Sequence, residues 1–299
     1  TDANISGVDL SGKDLTWTIL TNTNLKNTIL TNTILNCVDN FVCITLDLTD
    51  VDLSGKDYTG ARLTGVDLSG KDLTGTILIG TDLSNANLSG VNLDGKDLTG
   101  TILTGTNLLA IDLTRQDLTG VNLTNVNLDD VDLAGKNLTN AILTSVDLSD
   151  KDLTGADLTG AKLVSSDLSD MDLTNTTLTK ADLTSADLSN TDLSGVDLTD
   201  CILQYAILSN ANLSDSNLTD VQLNNAILLN TDIRNANLFG AYVQEIDFTE
   251  IKSKNWNGVN IRMAQFYNSD LEGMDFSGKD LTLTYFPMTK LVGVSFSND

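Results

Sequence analysis

Residues 176–200 read TTLTKADLTSADLSNTDLSGVDLTD, with Leu178, Leu183, Leu188, Leu193 and Leu198 spaced five apart. The two residues before Leu183, Leu188, Leu193 and Leu198 are small-then-acidic, as in Ala181-Asp182-Leu183, and the two after each Leu are Ser/Thr followed by Gly, Asn, Asp or another turn-tolerant residue. Small residue and Leu lie two apart with a polar residue between them, the in-out-in alternation of a very short strand. The remaining pair has turn chemistry, since Gly and Asn tolerate positive φ and Asp or Ser bonds nearby backbone. Five residues therefore encode one side and one corner. A side that short cannot bury its own inner face, so copies must stack, pairing backbone groups above and below at roughly 4.8 Å per layer.

Outward from that stretch the register holds from Leu48 to Phe248, where only Tyr58, Ile233, Val243 and Phe248 replace Leu. Before it, centres at Ile5, Leu10, Leu15, Leu20, Leu25, Leu30 and Leu35 give way to Val38, Cys43 and Leu48, a slip of three residues near 35–47. A second slip of three, near 249–255, separates Phe248 from Trp256, Ile261, Phe266, Leu271, Phe276, Leu281, Phe286, Leu291 and Phe296. The whole of 1–299 reads as one all-β solenoid with a continuous aliphatic core.

The unit A-(D/N)-L-(S/T)-(G/N/D), repeated in register through nearly the whole chain, resembles the pentapeptide-repeat proteins. The resemblance implies a right-handed quadrilateral β-helix with four pentapeptides per coil. Handedness and the number four come from the family alone. Four per coil would give about fifteen coils and a rod on the order of 70 Å long at strand spacing.

Composition narrows the function classes. Seventeen Lys and Arg against forty-one Asp and Glu give a net charge of −24, and only Glu245, Glu250 and Glu272 among the acids are Glu. There is no His, one Pro and little aromatic content, a poor mixture for helices. Without His, the commonest general base and the Ser/His and Cys/His nucleophile pairs are missing. Cys37, Cys43 and Cys201 lack C-x-x-C spacing, which argues against a disulfide framework or structural zinc site. GxxxxGK occurs at 7–13, 65–71, 90–96 and 273–279, but period five generates that spacing and Asp always follows the Lys where a phosphate loop needs Ser/Thr. No enzyme, cofactor or metal is expected. No apolar run reaches membrane length and no charged-then-apolar leader opens the sequence, so a soluble chain is expected; the missing leader does not decide the compartment, for which the cytoplasm is slightly favoured. The start at Thr1 is consistent with a processed product or a segment of a longer polypeptide.

With twenty residues per coil, one outward column runs Asp52, Asp72, Asn92, Asp112, Asp132, Asp152, Asp172, Asp192, Asn212, Asp232, an acidic ladder along one edge. The column two sides away is mixed, from Arg62 and Asp82 to Gln222 and Tyr242. Residues 250–299 form a nearly neutral, aromatic tip, where Phe266 with Phe286 and Phe276 with Phe296 are expected to stack inside. Tyr267, Tyr285 and Met288 fall outside, as part of a cap or an interface. Lys13, Lys56, Lys71, Lys96, Lys136, Lys151 and Lys279 occupy the inward small-residue position. Their stems are expected to lie along the core while the amines reach carbonyls or solvent.

These features predict a non-catalytic acidic rod, a structural spacer or protein-interaction scaffold, present as a monomer or a C-terminal homodimer. The family resemblance adds an alternative: some relatives mimic B-DNA and bind DNA gyrase in its place. A fibrous surface or virion assembly is a third reading. Direct nucleic-acid binding is opposed by the sign of the charge.

Overall fold

The computed structural model describes residues 3–15, 28–33 and 53–297, apart from 107, 109, 110, 112, 114, 115, 130, 255 and 257. The slip near 35–47 and Cys37 and Cys43 fall largely or wholly outside the described residues. The chain divides into two compact units, Thr1–Asp132 and Leu133–Asp299.

The repeat 181–185 shows why five residues make one side. Its N–H groups are all bonded: Ala181 to Leu178 O, Asp182 to Ala161 O, Leu183 to Ile202 O and Ser185 to Gln204 O, at 2.8–2.9 Å. The fifth, on Thr184, donates to Asp182 Oδ1 at 3.1 Å. The N–H of residue 181 closes a turn on residue 178, and the residue before it, Lys180, has φ +64°. Positive φ at the third turn residue is the type II arrangement, and it recurs at Ser185 (+58°) and Asn190 (+60°). The acidic residue of each repeat is therefore a turn cap: its carboxylate takes the one N–H that neither the turn nor the neighbouring coils can satisfy. Replacing Asp182 with Ala should lower stability by about 1 kcal/mol, whereas Asp182→Asn, which keeps the acceptor, should change it little. Urea midpoints of the two variants check this.

Coils pair in parallel. In the first unit Arg62 bridges Asp82, which bridges Ile102, which bridges Asn122, each step twenty residues. Across residues 34–52 the spacing widens, as Arg62 N donates to Thr33 O where Asp82 N donates to Ala61 O. In the second unit Asp147 bridges Asp167 and Asp167 bridges Asp187, again at twenty. Two regular strands form there, β1 (Tyr242–Gln244) and β2 (Gln265–Tyr267), paired with Tyr242 opposite Gln265. Their offset is twenty-three, as is that of Asp247 and Asp270, and the spacing returns to twenty between Gln265 and Tyr285. Lys252 N still donates to Thr231 O at the ordinary separation, and Asp275 N to Lys254 O, so the extra residues are absorbed about Lys252–Lys254.

Leu side chains fill the interior of each unit, with the small residues beside them. Hydroxyls at the small-residue position are buried yet bonded, to the carbonyl of the Leu-position residue in the adjoining coil. Thr81 donates to Tyr58 O (2.8 Å), Ser166 to Leu143 O (2.6 Å) and Thr231 to Leu208 O (2.7 Å). The Cys201 thiol does the same to Leu178 O. Burial pushes that thiol up to about 12, leaving it unreactive at neutral pH. Toward residue 297 the core turns aromatic. Trp256 meets Phe248 and Phe276 edge-on at 5.2 Å, and Phe266 stacks on Phe286 at 5.3 Å and 11°. Phe276 and Phe296 lie 5.8 Å apart but tilted by 52°, and Phe296, expected inside, is 47% exposed because no further coil covers it among the described residues.

Candidate functional site

The outward column of carboxylates is the first candidate. Asp52 and Asp112 lie outside the described residues. Asp72, Asp132, Asp152 and Asp172 are exposed, and Asp192 is half-buried. Four of these turns use the carboxylate as a cap: Thr74 N donates to Asp72 Oδ1 and Thr154 N to Asp152 Oδ1 (both 2.8 Å), Thr174 N to Asp172 Oδ1 and Ser194 N to Asp192 Oδ1 (both 3.0 Å). The Thr174 hydroxyl and N–H hold the Asp172 carboxyl below the usual carboxylate range, and those of Thr154 do the same for Asp152. Asn212 Nδ2 donates to Asp192 Oδ1 at 3.0 Å, so Asn in this column links layers as well as capping.

Asp232 departs from the expected outward ladder. It is 2% exposed. The Arg234 Nε donates to both its oxygens, at 2.9 and 3.0 Å, Arg234 Nη2 adds a bond of 2.6 Å, and Lys252 Nζ lies 3.2 Å away. The Arg234 guanidinium, with help from Lys252, holds the carboxyl at about 2. In the second unit the ladder of Asp172, Asp192, Asn212 and Asp232 therefore ends in a neutralised cluster, because Arg234 of Asp232's own turn and Lys252 of the coil that follows both bond its last carboxylate.

Of the inward lysines, Lys56 and Lys136 are buried, Lys71, Lys96, Lys151 and Lys279 half-buried, and Lys13 exposed. Lys279 Nζ donates to Val259 O at 3.2 Å, and desolvation lowers its pKa. In the first unit the inner position of Lys56 and Lys96 also holds Gln116, whose Nε2 donates to Leu93 O. Among the described residues, no group of three or more His, Cys, Asp or Glu is placed to hold a metal ion, and no helix is long and apolar enough to cross a membrane.

The second candidate is an aromatic face in the second unit. Tyr285 stacks through Gln265 onto Tyr242, and the Tyr267 hydroxyl lies 3.2 Å from the Met288 sulfur. Tyr285 is 66% exposed and Met288 74%. The structure adds Tyr242, Met263 and Leu283, all exposed, to the three residues picked from the sequence. Met263, Leu283 and Met288 occupy turn corners at φ +60°, +57° and +57°. A bulky side chain in that region costs backbone energy where Gly or Asn would not. Unlike the ladder, this face has no capping duty that accounts for its residues. The signal that identifies Met263 and Leu283 is legible in the repeat as large apolar residues at the Gly/Asn/Asp position. Chemically the face offers flat apolar surface, two bordering amides and no nucleophile or base, the composition of a protein contact.

The family model of pentapeptide repeats matches the chain in eight copies, over residues 1–36 and, in overlapping spans, 46–252. Among solved structures, the chain is 26% identical to HetL, a pentapeptide repeat protein involved in heterocyst differentiation regulation in the cyanobacterium Nostoc sp. strain PCC 7120. That match covers 81% of this chain and 89% of HetL, with a TM-score of 0.22. A pentapeptide repeat protein of the Arabidopsis thaliana thylakoid lumen is 30% identical over 40% of this chain and 66% of its own, with a TM-score of 0.22. QnrB1, a plasmid-mediated fluoroquinolone resistance protein, is 16% identical over 67% of this chain and 90% of its own, with a TM-score of 0.34. A search of curated protein sequences returns no match.

Proposed function

We propose, from the premise that the chain belongs to the pentapeptide-repeat family, that it is a non-catalytic protein-interaction scaffold whose partner docks on the aromatic face of residues 242–288. The family fold is a right-handed β-helix solenoid; in our reading each coil is a square of four five-residue sides, about fifteen coils in all. The observation that carries the functional reading is the set of exposed Tyr, Met and Leu side chains gathered on one face, three of them at corners where the repeat ordinarily places Gly, Asn or Asp. Tyr and Met are enriched in the centres of protein interfaces. A second copy of the chain is one such partner, because residues 250–299 are nearly neutral and escape the repulsion that the acidic remainder would impose.

A photo-cross-linking residue in place of Tyr267, irradiated in cells making the protein, should yield discrete adducts that Tyr285→Asp abolishes. Adducts no more abundant than those from the same residue at Asp152 would sink the reading. Light scattering of the purified chain, with and without Tyr285→Asp, separates a homodimer from a foreign partner.

The DNA-mimic alternative is favoured by one observation, the exposed carboxylates of Asp152 and Asp172 held in their ionised form. Their capping bonds weigh against it, since turn chemistry already calls for an Asp or Asn there. Supercoiling by purified gyrase, followed against rising protein concentration, should change in a dose-dependent way if mimicry operates; no change at micromolar protein removes it.

A further inference from the structure

A second apolar area lies in the second unit, apart from the aromatic face. Ile207 and Ile227 occupy the outward cap position of successive coils and bridge one another directly. Isoleucine offers no oxygen to the N–H two residues on, so two adjacent layers forgo the turn cap that Asp187 supplies just below, where Ser189 N donates to its Oδ1 at 2.9 Å. Among the described residues, isoleucines also stand at this position at 29, 77, 102, 142 and 202, but there the bridged neighbours that the structure records are polar. Only the 207–227 pair is seen stacked Ile on Ile among the described bridges.

Three further features converge on that pair. Tyr205, at the corner two residues before Ile207, is 57% exposed at φ +60°, where the corners below and above it are Ser185 and Asn225. Leu229, two residues after Ile227, is exposed in the position that usually holds Ser or Thr. The coil above brings Glu245 and Glu250: Asn225 N donates to Gln244 O, and Asn230 N to Glu250 O. Those are two of the three glutamates in a chain that otherwise uses Asp. Both stand at the corner position, three residues on from the capping position, so capping does not account for their charge. Both are exposed, as is Asp247 between them.

We infer that Tyr205, Ile207, Ile227 and Leu229 form a docking window for a segment of another protein that presents apolar side chains flanked by Lys or Arg. The window supplies the apolar floor; Asp187 on one side and Glu245, Asp247 and Glu250 on the other supply charge complementary to a basic frame. An acidic or nucleic-acid occupant would meet like charge on both borders.

A random-peptide display library selected on the full chain tests this. Enriched peptides should carry an apolar pair bordered by Lys or Arg. Their affinity should fall about ten-fold or more on Ile227→Asn, fall again with the double variant Glu245→Lys/Glu250→Lys, weaken with salt, and be unchanged by Tyr285→Ser on the aromatic face. Asn is the repeat's own cap residue, so Ile227→Asn should fold normally, which thermal melting verifies. Failure to enrich any peptide, enrichment of acidic or uncharged ones, or equal binding to Ile227→Asn overturns the inference. So does sedimentation showing a dimer that Ile227→Asn makes monomeric, since the window would then be a self-contact. Loss of cross-linking at Tyr267 alone would count against the aromatic-face reading and leave this one standing.

Discussion

Phe266→Ala should cost the second unit about 3–5 kcal/mol, in the range of large aromatic deletions from close-packed cores. The ring is fully buried and touches three others: Phe286 stacked at 5.3 Å, Phe248 edge-on at 5.9 Å and Trp256 at 6.0 Å. Neither Phe248 nor Trp256 is free to turn into the vacancy, since each also packs against the other at 5.2 Å. In a stack where a coil touches chiefly its neighbours, the damage should stay local. Amide hydrogen exchange should accelerate across residues 242–286 while amides of 156–188 keep their protection. Uniform acceleration through both stretches, or a loss below about 1 kcal/mol, would show that the aromatic cluster is not packed as described.

The second large effect is electrostatic. Asp232 titrates at about 2 in the folded chain against an ordinary 3.8 because Arg234 and Lys252 bond its ionised form. A depressed carboxyl contributes stability that is complete above the unfolded value and disappears as pH falls through the folded one. The shift corresponds to about 2 kcal/mol. Asp232→Asn should therefore destabilise by roughly that amount at pH 7, with the deficit shrinking between pH 4 and pH 2 until the two proteins coincide. Urea melts at pH 7, 4 and 2.5 measure it. A deficit constant across that range would assign the loss to packing and not to charge. The exposed caps with depressed carboxyls, Asp152 and Asp172 among them, act in the same direction with smaller contributions, so acid should weaken the fold further.

The period of five and the inward Leu were legible because burial of an aliphatic face depends only on spacing. The aromatic interior was legible for the same reason: Phe266 and Phe286 are twenty apart, and their rings meet. Twenty residues per layer came from family resemblance and not from period five, and parallel bridges such as Asp147 to Asp167 carry it in the structure. The second role of the outward Asp was harder to read. A carboxylate between two inward side chains looks like solvent-facing charge until the backbone angles put the N–H of residue i+2 within its reach, as Thr184 is to Asp182. Asp232 stands where the column places it, bridged to Asn212; its burial was not legible because the column does not show Arg234 of its own turn and Lys252 twenty residues on folding over it. Met263 and Leu283 show in the repeat only as exceptions, large apolar residues at corners whose positive φ favours Gly or Asn.

Between layers of the second unit, backbone partners lie about one lap of the chain apart, as Leu183 does from Ile202 and Asp182 from Ala161. A gene for such a protein has a natural quantum of growth. Duplicating or excising twenty codons away from 249–255 would splice a lap in or out and leave every surviving neighbour facing the chemistry it faced before. A change of ten codons would keep the aliphatic interior intact while carrying the downstream outer surface half-way round the axis, exchanging one flank for its opposite without touching the hydrophobic register.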